Sequence, residues 1–265
     1  MIAAITRAHS RAACSPPPVR PVNRPYAVFG RFLELSVTTT DIAASVQFYE
    51  RLGFAQLATG DTWSHPYGVV SDGRLCLGLH QRRGPARLLS FVRPELARHV
   101  HELRAAGFEP HYIRLGDSDF HELQLHDPSG LGIALLEART FSPPRPDRGP
   151  AHCGWFSSIS VPSLDTEAVQ AFWEHAGFVA LAVADDPLVR VALTSDTLTL
   201  TLHGPRTIET PVLVFTDPQM PVRLERLAAI GVHGSPELPA GLDRRANALI
   251  EAPEGTLLLL LEAES

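Results

Sequence analysis

Phe48-Tyr-Glu-Arg-Leu-Gly-Phe54 returns 124 positions later as Phe172-Trp-Glu-His-Ala-Gly-Phe178. The same offset of 124 carries Ser71-Asp72 onto Ser195-Asp196 and Ala106-Gly107 onto Ile230-Gly231. An offset of 123 takes Leu75-Cys-Leu-Gly-Leu-His80 onto Leu198-Thr-Leu-Thr-Leu-His203, and one of 125 takes Asp127-Pro-Ser-Gly130 onto Ala252-Pro-Glu-Gly255. Matches that hold one spacing across a hundred residues identify a tandem duplication.

Each half has a period of its own. Gly53 and Gly107 are 54 residues apart, as are Gly177 and Gly231, so four similar units follow one another. In the first, Thr40 or Asp41 caps a helix with Ile42, Val46, Tyr49 and Leu52 on one face, closed by Gly53. In the third, Asp165 opens a helix that carries Val169, Phe172 and Trp173 up to Gly177. The second helix of each half is expected from about Pro94 to Ala106 and from about Pro218 to Ile230. Alternation marks strands at Leu33 to Thr38, Arg74 to His80 and Leu198 to His203, and Leu257 to Leu261 has the length of a buried strand. The reading gives two domains, 31–140 and 153–265, joined over 141–152 by a Pro/Gly-rich linker that includes Ser142-Pro-Pro-Arg-Pro-Asp-Arg-Gly-Pro150. Residues 1–30 hold four arginines, no acid and Pro16-Pro17-Pro18, and are expected to be a flexible N-terminal tail.

Leu35-x-Val-x-Thr-x-Asp41-Ile-x-x-Ser45-x-x-Phe-Tyr-x-x-Leu-Gly-Phe54, followed by Asp127-Pro-Ser-Gly130 and Ile133-x-Leu-Leu-Glu137, resembles the vicinal oxygen chelate superfamily. That group includes glyoxalase I, extradiol dioxygenases, fosfomycin resistance enzymes and bleomycin resistance proteins. The resemblance covers about residues 31–140 and, more weakly, 153–265. It implies an α+β fold of tandem paired βαβββ modules, four in one chain, whose sheets curl around a cavity. One chain then carries both halves, so a monomer suffices for a complete fold and a homodimer is not required. Motifs of this kind specify the fold and are poor guides to the reaction.

The family's metal ligands can be carried over one at a time. The resemblance places them at Glu34, Leu88 and Ala134 in the first half and at Ser158, Val212 and Leu259 in the second. A Lewis-acid centre needs imidazole and carboxylate donors, and only Glu34 supplies one. The expectation is therefore no family-type metal and no cofactor.

Strand parity selects the inner-face candidates. If Leu75, Leu77 and Leu79 pack on a helix, Cys76, Gly78 and His80 face the cavity, and Thr199, Thr201 and His203 do so in the second half. Parity adds Glu34, Ser36 and Thr38, then Ser158 and Ser160, then Glu122, Gln124 and His126. His80 and His203 are read either as ligand contacts or as strand-end histidines near solvent. Glu34 is read either as a working carboxylate or as one buried against an arginine, because an unpaired buried charge is costly. Trp63 and Tyr67 fall in a loop-like stretch, where aromatics stack on a ligand or cover the cavity mouth. His99 and His101 share a helix with Arg98 and Glu102 and are expected to be solvated.

Composition removes other classes. The chain has 265 residues, 45% hydrophobic and 20% charged, which suits one large or two small globular domains. A net charge of −6 gives no basic footprint for nucleic acid or an anionic membrane. All 23 basic residues are arginine, so no lysine exists to form a Schiff base. Cys14, Cys76 and Cys153 are too few and too scattered for a disulfide framework, and no apolar run approaches the ~18 residues of a membrane span. A reducing, cytoplasmic setting follows as an expectation. His121-Glu122-x-x-x-His126 has the wrong spacing for a zinc-protease helix, and nucleophile-elbow, dinucleotide and P-loop signatures do not occur.

Two functional classes remain. The first is a protein that binds or sequesters a small organic molecule in a barrel cavity without the usual metal triad. The second is an enzyme, a lyase, isomerase or dioxygenase of the same superfamily. It would use a non-standard metal site at Glu34, His80 and His126, or Glu34 as general base with a histidine as acid.

Overall fold

The computed structural model describes residues 28–59, 63–116, 120–137, 149–182, 188–206 and 208–263. Most of the expected tail and linker lies outside the described residues.

Four modules follow in chain order. The first is β1 (Arg31–Thr38), α1 (Ile42–Arg51), β2 (Ala55–Leu57), β3 (Tyr67–Ser71) and β4 (Cys76–His80). The second is β5 (Arg87–Val92), α2 (Leu96–Ala105), β6 (Tyr112–Arg114), β7 (Glu122–His126) and β8 (Gly132–Leu136). The third is β9 (Trp155–Pro162), α3 (Thr166–His175), β10 (Val179–Leu181), β11 (Val189–Thr194) and β12 (Thr199–His203). The fourth is β13 (Val212–Asp217), α4 (Met220–Ala229), β14 (Ala248–Glu251) and β15 (Leu257–Glu262). Tyr67 thus begins a strand, where the sequence reading had it in a loop.

The repeat is visible in the helix ends. The Asp41 side chain accepts from Ala44 N and that of Asp165 from Ala168 N, each relieving an amide that the helix leaves open. Gly53 and Gly177 follow α1 and α3 with φ of +88° and +98°, a left-handed conformation that a Cβ disfavours. Gly107 and Gly231 stand in the same place after α2 and α4.

Each half forms one sheet. The orders are β2-β3-β4-β1-β5-β8-β7-β6 and β10-β11-β12-β9-β13-β15-β14. In both, the first strands of the paired modules run antiparallel at the centre, β1 on β5 and β9 on β13, and each has its own module's last strand in parallel beside it. The fourth module falls one strand short of the βαβββ expectation. The stretch that would supply it, 233–247, contains Pro236 and Pro239, which cannot donate to a ladder, and only Ser235 N reaches β14, at Leu249 O.

One apolar core joins the helix faces of both sheets. Leu35, Val37, Leu77, Leu79, Leu89 and Phe91 face it from the first half, and Ile159, Val161, Leu200 and Phe215 from the second. Phe29, just ahead of β1, reaches across the halves, with ring centroids 6.0 Å from Phe172 and 5.8 Å from Trp173. His99 belongs to this packed side as well. It is buried, with its ring nitrogens at Val28 O (2.8 Å) and Glu102 (2.8 Å), so the solvated reading of this residue is corrected.

The halves also exchange turns. Trp173 Nε1 donates to Asp127 Oδ2 at 3.0 Å, and Tyr49 Oη donates to Glu254 Oε1 at 2.6 Å. Tyr49 and Trp173 are repeat equivalents, so each half places its β-turn carboxylate on the other half's first helix. Burial, with Glu254 beside it, holds the Tyr49 phenol well above its usual pKa.

Candidate functional site

Alternate residues of β1 leave the core and face inward, and there the first half gathers a polar cluster around Glu34. Glu34 and His80 are each 1% exposed. Glu34 Oε1 accepts from Ser36 Oγ at 2.7 Å and from His80 Nε2 at 3.2 Å, while Oε2 accepts from Tyr67 Oη at 2.5 Å. Ser36 uses its proton on Glu34, so Ser90 Oγ at 2.7 Å donates to it. His80 likewise uses its Nε2 proton, so His65 Nε2 donates to His80 Nδ1 at 2.9 Å. Every donor chain ends at this carboxylate. The arginine partner that the alternative reading supplied is not among its contacts.

Strand register explains the convergence. Ser36 is opposite Gly78 in the parallel β1–β4 pair, Thr38 is opposite His80, and Glu34 is opposite Ser90 across β1–β5. Gly78 is required by close approach: a Cβ there would lie 2.1 Å from Glu34 Oε1 and 2.6 Å from Oε2. Burial, and next the Glu34 charge, raise the Tyr67 pKa, so the phenol stays a donor. Burial, followed by His80 and Arg82, lowers that of His65, which favours a neutral ring able to relay a proton between tautomers.

The sheet curls into a cup over this cluster. Strands β3 and β7 stand five places apart in the sheet, about 24 Å if it were flat. Yet Trp63, just before β3, and Phe120, just before β7, have ring centroids 5.2 Å apart. Leu33, Leu88, Val92, Ala134 and Leu136 make the apolar wall beneath these two rings. Trp63 also lies 5.3 Å from the His80 ring, edge to face, with the Arg82 guanidinium over it at 5.8 Å.

The family's metal positions can be tested against this geometry. The sheet does bring Glu34, Leu88 and Ala134 onto neighbouring strands, since Glu34 pairs with Ser90 and Ser90 with Ala134. Two of the three are hydrocarbon and sit in the apolar wall. In the second half Val212 and Leu259 pack with Leu188, Ile208, Leu238 and Leu249, and Ser158 shares a hydrogen bond with Thr201 at 3.3 Å. These donor sets do not fit a metal centre of imidazole and carboxylate. Among the described residues no group of three or more His, Cys, Asp or Glu side chains is arranged to hold a metal ion.

The remaining candidates lie elsewhere. Glu122 is buried on β7, held by Arg114 Nη2 at 3.0 Å and Gln124 Nε2 at 2.7 Å. His126 is exposed at the end of that strand, stacked on His111 at 4.3 Å, and lines a groove of about 280 Å³ between the halves with Arg87 and Glu209. His126 thus makes its contact with His111 and is not among the partners of the Glu34–His80 cluster. In the second half Ser160 Oγ donates to His203 Nδ1 at 2.8 Å, and His203 Nε2 donates to Ile208 O at 2.9 Å. Both nitrogens of His203 are thereby committed to internal partners. His65 and Ser90 were missed in the sequence. Ser90 shares the parity of Leu88 and was recoverable; His65 lies in a loop with no periodicity to mark it.

Solved structures of dioxygenases are similar to this fold. A catechol 2,3-dioxygenase is matched over 86% of this chain and 91% of its own, with TM-score 0.54 and 13% identity. A homoprotocatechuate 2,3-dioxygenase from Arthrobacter globiformis is matched over 92% and 82%, with TM-score 0.57 and 15% identity. The chain has the extradiol dioxygenase fold. An extradiol ring-cleaving dioxygenase from B. fuscum agrees, over 92% of this chain and 74% of its own, with TM-score 0.58 and 14% identity. The paired-module architecture implied by the sequence resemblance is thus borne out at the level of the fold. No family profile and no curated protein matches the sequence. Among the described residues no helix is long and apolar enough to cross a membrane.

Proposed function

We propose that the protein binds a small organic molecule in the first cup without a metal, on the architecture of the vicinal oxygen chelate proteins. The observation that carries this is the Glu34 cluster under Trp63. A glutamate at the first metal position accepts from three side-chain donors, while the two positions that would complete a metal shell are leucine and alanine. Among the described residues the Trp63 ring is packed by His65, Tyr67, His80 and Phe120, the kind of contact that a ligand ring can also make. An apolar wall with a few convergent polar groups is the ordinary make-up of a small-molecule site.

The second reading, general acid–base catalysis, has one observation in its favour. His65, His80 and Glu34 form an unbroken relay from a half-exposed ring to a buried carboxylate. Binding is the simpler reading, because it needs no reacting atom within reach of Glu34.

The test is titration of the full chain with a panel of small aromatics, followed by tryptophan fluorescence, before and after treatment with a chelator. The expected result is a saturable change that survives chelation and is absent in Trp63→Phe. One tightly held metal ion per chain, lost in Glu34→Gln, would overturn the reading in favour of an enzyme.

A further inference from the structure

We infer that the ligand of the first cup is an organic cation, an aromatic or apolar body bearing an ammonium group that seats on Glu34. The inference rests on the first cup being the ligand site. Its ground is the charge balance of that cup. Glu34 is all but fully buried, and the groups that reach it are a phenol, a serine hydroxyl and an imidazole. Tyr67 and Ser36 bring no charge, and His80 brings one only by taking up a proton. A buried carboxylate without a cation is costly, and neutral hydrogen bonds offset only part of the loss of water.

The other charged groups around the cup do not fill this role. Glu122 faces inward from β7, but its counterion is Arg114 at 3.0 Å, so that pair closes on itself. Arg82 stands over the Trp63 ring rather than on Glu34; its charge acts on His65, and its buried Nε has no hydrogen-bond partner among the described residues. Among the described residues, the ion-pair partner of Glu34 is His80 and no arginine.

Acceptor capacity points the same way. Among the described residues Oε1 takes two donors, Ser36 and His80, and Oε2 takes one, Tyr67, which leaves a lone pair open on Oε2. Ser90 Oγ, having donated to Ser36, also keeps accepting capacity on the same floor. On the floor of the cup, at Glu34 Oε2 and Ser90 Oγ, the unfilled valences are acceptors, so the ligand group that seats there is a donor. An ammonium supplies both the donors and the missing charge, and the Tyr67 ring, whose hydroxyl is on Oε2, stands beside that position. An anionic ligand would meet Glu34 with like charge.

Three probes of nearly equal shape decide the matter: 2-phenylethylamine, 2-phenylethanol and 3-phenylpropionate, each titrated into the full chain by calorimetry at neutral pH. The amine is expected to bind about tenfold or more tightly than the alcohol, the margin of one hydrogen bond to a charged group, and the acid least well. Glu34→Gln should bring amine and alcohol level. Tyr67→Phe, which keeps the carboxylate, should retain the preference and controls for a Glu34 variant that fails to fold. Equal binding of all three probes would overturn the cation assignment and leave the cup as the ligand site. Binding of none of the three would overturn the cup as well.

Discussion

Gly78→Ala offers a sharp test of the geometry around Glu34. The added methyl would stand 2.1 Å from Oε1, 2.4 Å from Cδ and 2.6 Å from Oε2. Ordinary carbon contacts are about 3.5–4.0 Å, so the carboxylate must retreat by more than about 1 Å. It cannot do so and keep its bonds to Ser36 at 2.7 Å and Tyr67 at 2.5 Å. Overpacking of this kind costs about 1–3 kcal/mol, and a weakened hydrogen bond to a charged group about 1.5–3 kcal/mol. About 3 kcal/mol in all is a large share of a total stability of about 5–15 kcal/mol, and corresponds to a fall in Tm of about 6–12 °C. The control is the same substitution in a Glu34→Ala background, where the space is vacant. There Gly78→Ala should be neutral or stabilising by about 0.5 kcal/mol, since glycine in a strand loses more chain entropy than alanine. Urea denaturation of the four proteins gives the coupling directly. An equal cost in both backgrounds would refute the close approach.

Tyr49→Phe removes the donor to Glu254 Oε1 but leaves Ser45 Oγ on Oε2 at 2.8 Å, so a loss of about 1.5–2 kcal/mol is expected; an unchanged urea midpoint would contradict it. His203 is held below its usual pKa of 6.5 chiefly by burial, with Arg190 adding to the effect. The unfolded chain then binds the proton more readily than the folded one, so stability should decline as pH falls from about 6.5 through the lower folded value. His203→Gln should flatten that part of the stability–pH curve, and an identical curve would remove His203 from the account.

How much of this was legible in the sequence depends on the range of the interaction involved. Gly53, Gly107, Gly177 and Gly231 could be read because a helix end is settled within five residues, and Asp41 and Asp165 could be read for the same reason. Parity placed Glu34, Ser36 and His80 on one face, where the structure brings them together. Parity gives a face and not a distance across a curled sheet. Hence His126 lies with His111 at a sheet end, and the buried Glu122 is closed on Arg114. His99 was misread because its environment is set by Val28, distant in the chain. The missing strand of the fourth module had a signal in Pro236 and Pro239, which the repeat outweighed.

The exchanged turns carry a consequence for how the halves recognise one another. The first half presents a short acid, Asp127, and a phenol, Tyr49; the second presents a longer acid, Glu254, and an indole, Trp173. Short acid meets indole and long acid meets phenol. By the repeat Glu254 corresponds to Ser129, so two copies of the first half would face Tyr49 with a serine in place of the acid that serves that phenol here. Asp127 corresponds to Ala252, so two copies of the second would leave the Trp173 indole facing an alanine that has no side-chain acceptor. Each mismatch leaves a buried donor or acceptor unfilled or forces the turn away, a penalty of the kind that separates right from wrong partners. The duplicated units have thus become a matched unlike pair, and covalent linkage in one chain supplies them in the one-to-one ratio that such a pair requires.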